Sequence, residues 1–297
     1  MSLNHAWHIL IITLFILTST KAVAGEFSAE IKANICNAAI YFEGKIEQGN
    51  SNAFGNVLPS VYKRLRGENK WCSFIKIDLF VNSDGGDLDE SLKFGRLIRS
   101  NEIRVVVRQG GRCFSACVYL LAAGVERWPH SGSVGVHRPY FLDLPFGASS
   151  AQIRQKIDAW NLNITEYLNE MNVSLALHED SKAIQPENIK ILSFEEMEKY
   201  RIANDDAVYN EIKIYNKSKR YGISMAEYRK RDNNASVKCR SPSRDHFSDN
   251  LACREAIYLG ISETEVKRRL ANIVACVDLK TEKDFNDCYY DHLLGRK

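Results

Sequence analysis

Two residues of this sequence have the types and spacing for acyl transfer: Ser115, at the head of an apolar run, and His137, at the end of the next short strand. A serine hydroxyl becomes an effective nucleophile when an imidazole takes its proton, so the pair reads as nucleophile and general base. The charge that builds on an attacked carbonyl oxygen needs fixed N–H donors. Ala116 is small and leaves its amide accessible, and Gly85-Gly86 can supply a second donor because glycine accepts positive φ and close approach of a substrate. Taken singly, a serine in such a turn more often caps or packs a helix, and a strand-end histidine more often bonds backbone. His130 and His178 read as structural or exposed residues.

The elements that must position these groups are strand, glycine turn and helix, written twice. Phe74 to Val81 reads as a largely buried strand, Asp84-Gly85-Gly86-Asp87 as its turn, and Leu88, Leu92, Gly95 and Ile98 recur at helical spacing, with acidic residues in the first turn and Arg96 and Arg99 in the last. Ile103 to Val107 repeats the strand, Gly110-Gly111 the turn, and Phe114 to Ala123 the helix, stopped by Gly124. Each turn sets backbone N–H groups and a helix N-terminus at one sheet edge. Val134 to His137 forms the next strand, broken by Pro139, and residues 150 to 171 form a long amphipathic packing or oligomer arm. An earlier strand is read at Ala38 to Phe42, turned at Gly44. Residues 26 to 208 thus carry an α/β pattern.

The chain has 297 residues and a net charge of +3, enough length for a buried core and too little charge to point to nucleic acid or anionic lipid as the main partner. An apolar run from about Ala6 to Leu17, followed by Ala22-Val23-Ala24-Gly25, is too short for a membrane span and suits a signal peptide cleaved after Ala24; an uncleaved anchor is the alternative. Periplasmic or secreted location follows, with membrane contact only if the signal stays on. The eight cysteines are then expected to form disulfides. There is no CxxC pair and no His at zinc-finger spacing, so neither a metal nor a cofactor is called for.

A boundary is placed near residue 212, where Lys213, Lys217, Lys219, Arg220, Arg229, Lys230 and Arg231 crowd together ahead of four cysteines. The basic stretch reads as a solvated helical face or linker, with an acidic partner or membrane surface as the alternative. Segments 249–260, 263–278 and 281–294 read as helices. An antiparallel hairpin of the first two would favour Cys253 pairing with Cys276, among three possible connectivities.

The run Phe80 to Asp87, then Ser115-Ala116, Leu120 to Gly124, and Val136-His137-Arg138-Pro139, resembles the proteolytic subunit of the Clp protease, in particular its exported relatives. The likeness extends through Ala176-Leu177-His178 and Leu192 to Glu196 and covers about residues 36 to 210. The resemblance implies a ClpP/crotonase-like fold of repeated ββα units, followed here by a small cysteine-containing α-helical C-terminal region. It implies Ser115 as nucleophile, His137 as base, and Gly85 or Gly86 with Ala116 as oxyanion hole. The family's third residue falls near Ile189, which makes Asn188 the first candidate to orient His137, with Glu187 and Asp180 behind it. Asp84 stands where the family often has proline.

Cys113 and Cys117 frame Ser115. A bond of either to Cys36 or Cys72 would pin the helix; a bond between the two themselves would strain a helix and is not expected.

The resulting expectation is an exported serine peptidase acting on peptides or polypeptides, with homo-oligomerisation open. A catalytically inactive module that binds or oligomerises is the alternative. Acyl-CoA chemistry of the crotonase type ranks below both, because export removes the protein from cytosolic CoA.

Overall fold

Burial on both faces of a parallel sheet demands apolar strands, and the first half of the chain supplies them. In the computed structural model, which describes residues 25–69, 72, 75–140, 147, 149–239, 247–271, 276, 279 and 282–296, β1 (Glu26–Lys32) runs antiparallel to β2 (Asn37–Glu43). The leader read at residues 1–24 and Phe74 of the expected strand lie outside the described residues. Helix α1 (Asn50–Glu68) carries the chain to β3 (Lys76–Asn82), parallel to β2. Then follow α2 (Leu88–Ser100), β4 (Arg104–Val107), the short β5 (Cys113–Phe114), α3 (Cys117–Ala123), β6 (Glu126–Pro129) and β7 (Val134–Val136). Helices α4 (Ser150–Glu170) and α5 (Ala176–Lys182), strand β8 (Lys190–Ile191), helix α6 (Phe194–Lys199) and strand β9 (Asn204–Asp205) come next.

The large sheet has the order β1-β2-β3-β4-β6-β9, parallel from β2 through β6 and antiparallel at both edges. Strands β5, β7 and β8 make a second, small sheet. Ile77, Leu79 and Val81 of β3, Val105 and Val107 of β4, and Leu120 to Ala123 of α3 share one core. The chain is therefore mixed α/β, as expected.

Helix α2 begins where its sequence said it would: Asp87 caps it by accepting from the Glu90 amide at 2.8 Å. Glu90 itself is buried and reaches across to α1, accepting from the Ser51 amide at 2.7 Å, the Ser51 hydroxyl at 2.6 Å and the Gly49 amide at 3.1 Å. Burial works to raise its pKa, but these bonds outweigh it and hold the carboxyl below its ordinary range. The glycine turn before α2 is thus anchored from both sides.

The cysteines pair differently from the expectation. Cys36 bonds Cys72, and Cys113 bonds Cys117. The objection to the second bond assumed a helix from Phe114, whereas Cys113 belongs to β5 and α3 starts only at Cys117. A turn at Ser115 brings their Cα atoms to 5.0 Å. In the C-terminal region Cys239 bonds Cys253 and Cys276 bonds Cys288, so the Cys253–Cys276 pairing is overturned. Each of these bonds ties a cysteine within a helix, Cys253 or Cys288, to one 14 or 12 residues before it.

That region is helical: α7 (Ala207–Tyr221) runs continuously through position 212, followed by α8 (Met225–Lys238), α9 (Phe247–Leu259), α10 (Glu263–Leu270) and α11 (Glu282–Leu293). It has apolar clusters of its own, around Tyr289 and around the stacked rings of Tyr228 and Tyr258, 5.3 Å apart. It also touches the α/β part, where the buried Arg66 of α1 lies 3.7 Å over the Phe285 ring. The basic stretch is helical, and ion pairs join Lys213 to Glu102, Arg229 to Glu211, and Arg231 to Glu227.

Candidate active site

Ser115 occupies the turn between β5 and α3 with φ 54°, a left-handed conformation rare for a residue with a side chain. Its neighbours favour it. The Cys113 amide donates to the Ser133 carbonyl, the Phe114 amide to Ser83, and the Ser115 amide to Gly135 at 2.9 Å. The glycine turn presses against the same spot. A Cβ built on Gly85 would fall 2.7 Å from the Phe114 carbonyl oxygen, 2.8 Å from Ser115 Cβ and 3.0 Å from the Ala116 nitrogen.

The two glycines have different tasks. The Gly85 amide donates to Ser83 Oγ at 3.1 Å and its carbonyl accepts from Ile46, while Gly86, at φ 144°, lies against the Ile46 backbone. Among the described residues, the Gly86 and Ala116 amides have no acceptor, and both line one groove with Ser115. Asp84 and Arg112 lie at the groove as an exposed ion pair, Nε to Oδ1 2.8 Å, joining the two turns.

His137 follows β7, half-buried, and lines the same groove. Its ring packs on Tyr140, with centroids 5.6 Å apart. Nδ1 lies 2.9 Å from the Arg138 carbonyl oxygen. A carbonyl only accepts, so Nδ1 carries the proton in the neutral ring and Nε2 is left as the basic nitrogen. Among the described residues, Ser115 Oγ makes no hydrogen bond to this ring.

Among the described residues, none of the three candidates to orient His137 hydrogen-bonds its ring. Asp180 accepts from the Tyr200 hydroxyl at 2.6 Å, a bond that lowers its pKa. Glu187 and Asn188 are exposed on the loop before β8. Strand β8 pairs antiparallel with β7, Gly135 opposite Ile191 and Val136 opposite Lys190, and the pairing ends there, the Arg138 amide donating instead to the Ile184 carbonyl. Ile189 and Ile191 both crowd the place a Gly135 Cβ would take. The Arg138 carbonyl holds the ring instead, a backbone role that no residue type could have announced.

The groove encloses about 1130 Å³. Beyond the turns it is walled by Val118, Tyr119, Tyr140, Leu177 and Trp160, the last from the half of α4 where Ile157 and Leu162 are exposed. His178 is buried and bonds Asn161 Oδ1 at 3.0 Å, and His130 bonds the Ser131 carbonyl. Cys276, Cys288 and His292 bring their ligand atoms within 4.8 Å, but the two sulfurs are bonded to each other, which removes the thiolates a metal would take.

No protein-family model matches this chain, and no curated protein matches it. Four disulfides mark an oxidising, extracellular environment. Among the described residues no helix is long and apolar enough to cross a membrane.

Proposed function

We propose that this chain is an exported, periplasmic or secreted serine hydrolase of the Clp-protease/crotonase superfamily, acting on peptides or polypeptides. The observation that carries the reading is Ser115 in its left-handed turn, lining one groove with His137 and with the uncommitted amides of Gly86 and Ala116. Ser115 Oγ attacks the scissile carbonyl carbon while His137 Nε2 takes its proton. The Gly86 and Ala116 amides hold the resulting oxyanion. Collapse expels the amine, which leaves with the proton from the imidazolium, and water attacks the acyl-enzyme by the same relay. Closure of Oγ onto Nε2 accompanies substrate binding, since catalytic hydrogen bonds commonly tighten only in the complex.

A fluorophosphonate probe tests the reading: it labels the mature protein at Ser115, and Ser115→Ala abolishes the label. An unlabelled parent, or label that survives in the variant, refutes it.

One observation favours a second reading. The absence of a Ser115–His137 hydrogen bond among the described residues suits an inactive module that binds peptides in the groove or oligomerises. On that reading peptide binding survives Ser115→Ala and no probe reacts.

A further inference from the structure

We infer that the Cys113–Cys117 disulfide is a positioning element of the site: it holds Ser115 in the left-handed turn, and the serine is reactive only while the bond is intact. This inference rests on the hydrolase reading above.

The argument starts from what the local sequence would otherwise do. Phe114, Val118 and Leu121 recur at helical spacing and α3 already starts at Cys117, so the helix has one more apolar turn to extend into. Extension would bring Ser115 to a negative φ near −60° in place of 54° and swing its hydroxyl to another side of the chain. In an α-helix the Cβ atoms of residues i and i+4 lie about 5–6 Å apart. A disulfide requires about 3.5–4.5 Å. The bond between Cys113 and Cys117 is therefore incompatible with helix across this span and compatible with the strand, turn and helix found here.

Other restraints act in the same direction, but differently. The bonds from Cys113, Phe114 and Ser115 amides to Ser133, Ser83 and Gly135 require the turn and would be lost with it. They stabilise the turn without forbidding the helix. A side chain at positive φ persists only where its surroundings over-determine it, and the disulfide is the one covalent restraint across Ser115. Both sulfur-bearing residues are fully buried, which keeps the clamp out of solvent.

The test replaces the pair by alanine, Cys113→Ala with Cys117→Ala, leaving the other disulfides. The fluorophosphonate labelling rate at Ser115 is expected to fall by about tenfold or more, as displacement of a reacting atom by about an ångström does. The pH midpoint of the residual labelling stays where the parent has it, because His137 is untouched, and the HN–Hα coupling of Ser115 shifts toward the helical value. A variant that labels as fast as the parent, with an unchanged coupling, overturns the inference. A parent that does not label defeats the hydrolase reading instead, and the coupling then decides the clamp alone. Where the alanine pair does not fold, Cys113→Val with Cys117→Ala suits the strand and the helix better and is measured the same way.

Discussion

Gly85 lies so close to Ser115 that a Cβ on the glycine would stand 2.8 Å from the serine Cβ. The glycine also has φ 100°, so a side chain there is strained whatever room is made for it. Gly85→Ala is expected to destabilise the fold by about 1–3 kcal/mol. It also displaces Ser115, so fluorophosphonate labelling falls more than the thermal midpoint does. Labelling equal to the parent would show that the contact has no role in the site.

The Arg138 carbonyl, in place of a carboxylate, orients the His137 ring. His137→Ala is expected to lower the labelling rate on the order of 10²- to 10⁴-fold, the range for a general base. Glu187→Ala, Asn188→Ala and Asp180→Ala each leave that rate within about twofold, the last because its carboxylate serves Tyr200. A large loss in any one of these three would identify it as the orienting residue.

Asp206 caps α7 through the Tyr209 amide and is ion-paired inside the protein with Arg99 and with Arg127, whose Nη2 also donates to the Met171 carbonyl at 2.6 Å. Asp206→Ala strips the buried Arg127 of its charge partner, and about 3–5 kcal/mol of stability is expected to go. Burial raises the Asp206 pKa, but the Arg99, Tyr209 and Asn172 bonds lower it further. A depressed carboxylate stabilises above its unfolded pKa, and the contribution disappears as pH falls through the folded one. Acid unfolding of the parent therefore includes a step that the variant lacks, as a pH series of denaturant midpoints would show.

Glu255 behaves in the opposite sense. Burial raises its pKa from an ordinary 4.5 to about 7, against the Tyr221 hydroxyl at 2.7 Å and the nearby Lys217, which favour the charged form. A raised carboxyl stabilises fully below pH 4.5 and loses that contribution as pH rises through 7. The thermal midpoint of the C-terminal helices is expected to fall as pH rises between those values. Glu255→Gln removes the slope and raises the midpoint at pH 8; a parent midpoint flat across the range would contradict the assignment.

Much of the architecture is local information. Helix α2 was legible because Asp87, the acidic first turn and the apolar repeat are contiguous, and β3, β4 and β7 because buried strands are runs of apolar residues. Strand β1 went unread because most of its residues are exposed, and β6 because Glu126, Arg127 and Pro129 are polar or strand-breaking. Arg127 is buried there only through partners far along the chain, Asp206 and Met171.

The candidate site divides in the same way. The serine, the histidine and the glycines are named by residue type, and the sequence by itself determined that these types occur at turns of an α/β pattern. Tertiary structure decided which amides stay uncommitted, that the Arg138 carbonyl meets His137 Nδ1, and that Cys113 bonds Cys117 across a turn. The physical reason is common to all three. A backbone group offers no side chain to read, and a cysteine pairing depends on where a helix starts. The left-handed turn at Ser115 is supported by contacts from Ser83, Gly85 and Gly135, all distant from it in the chain and brought to it only by the fold.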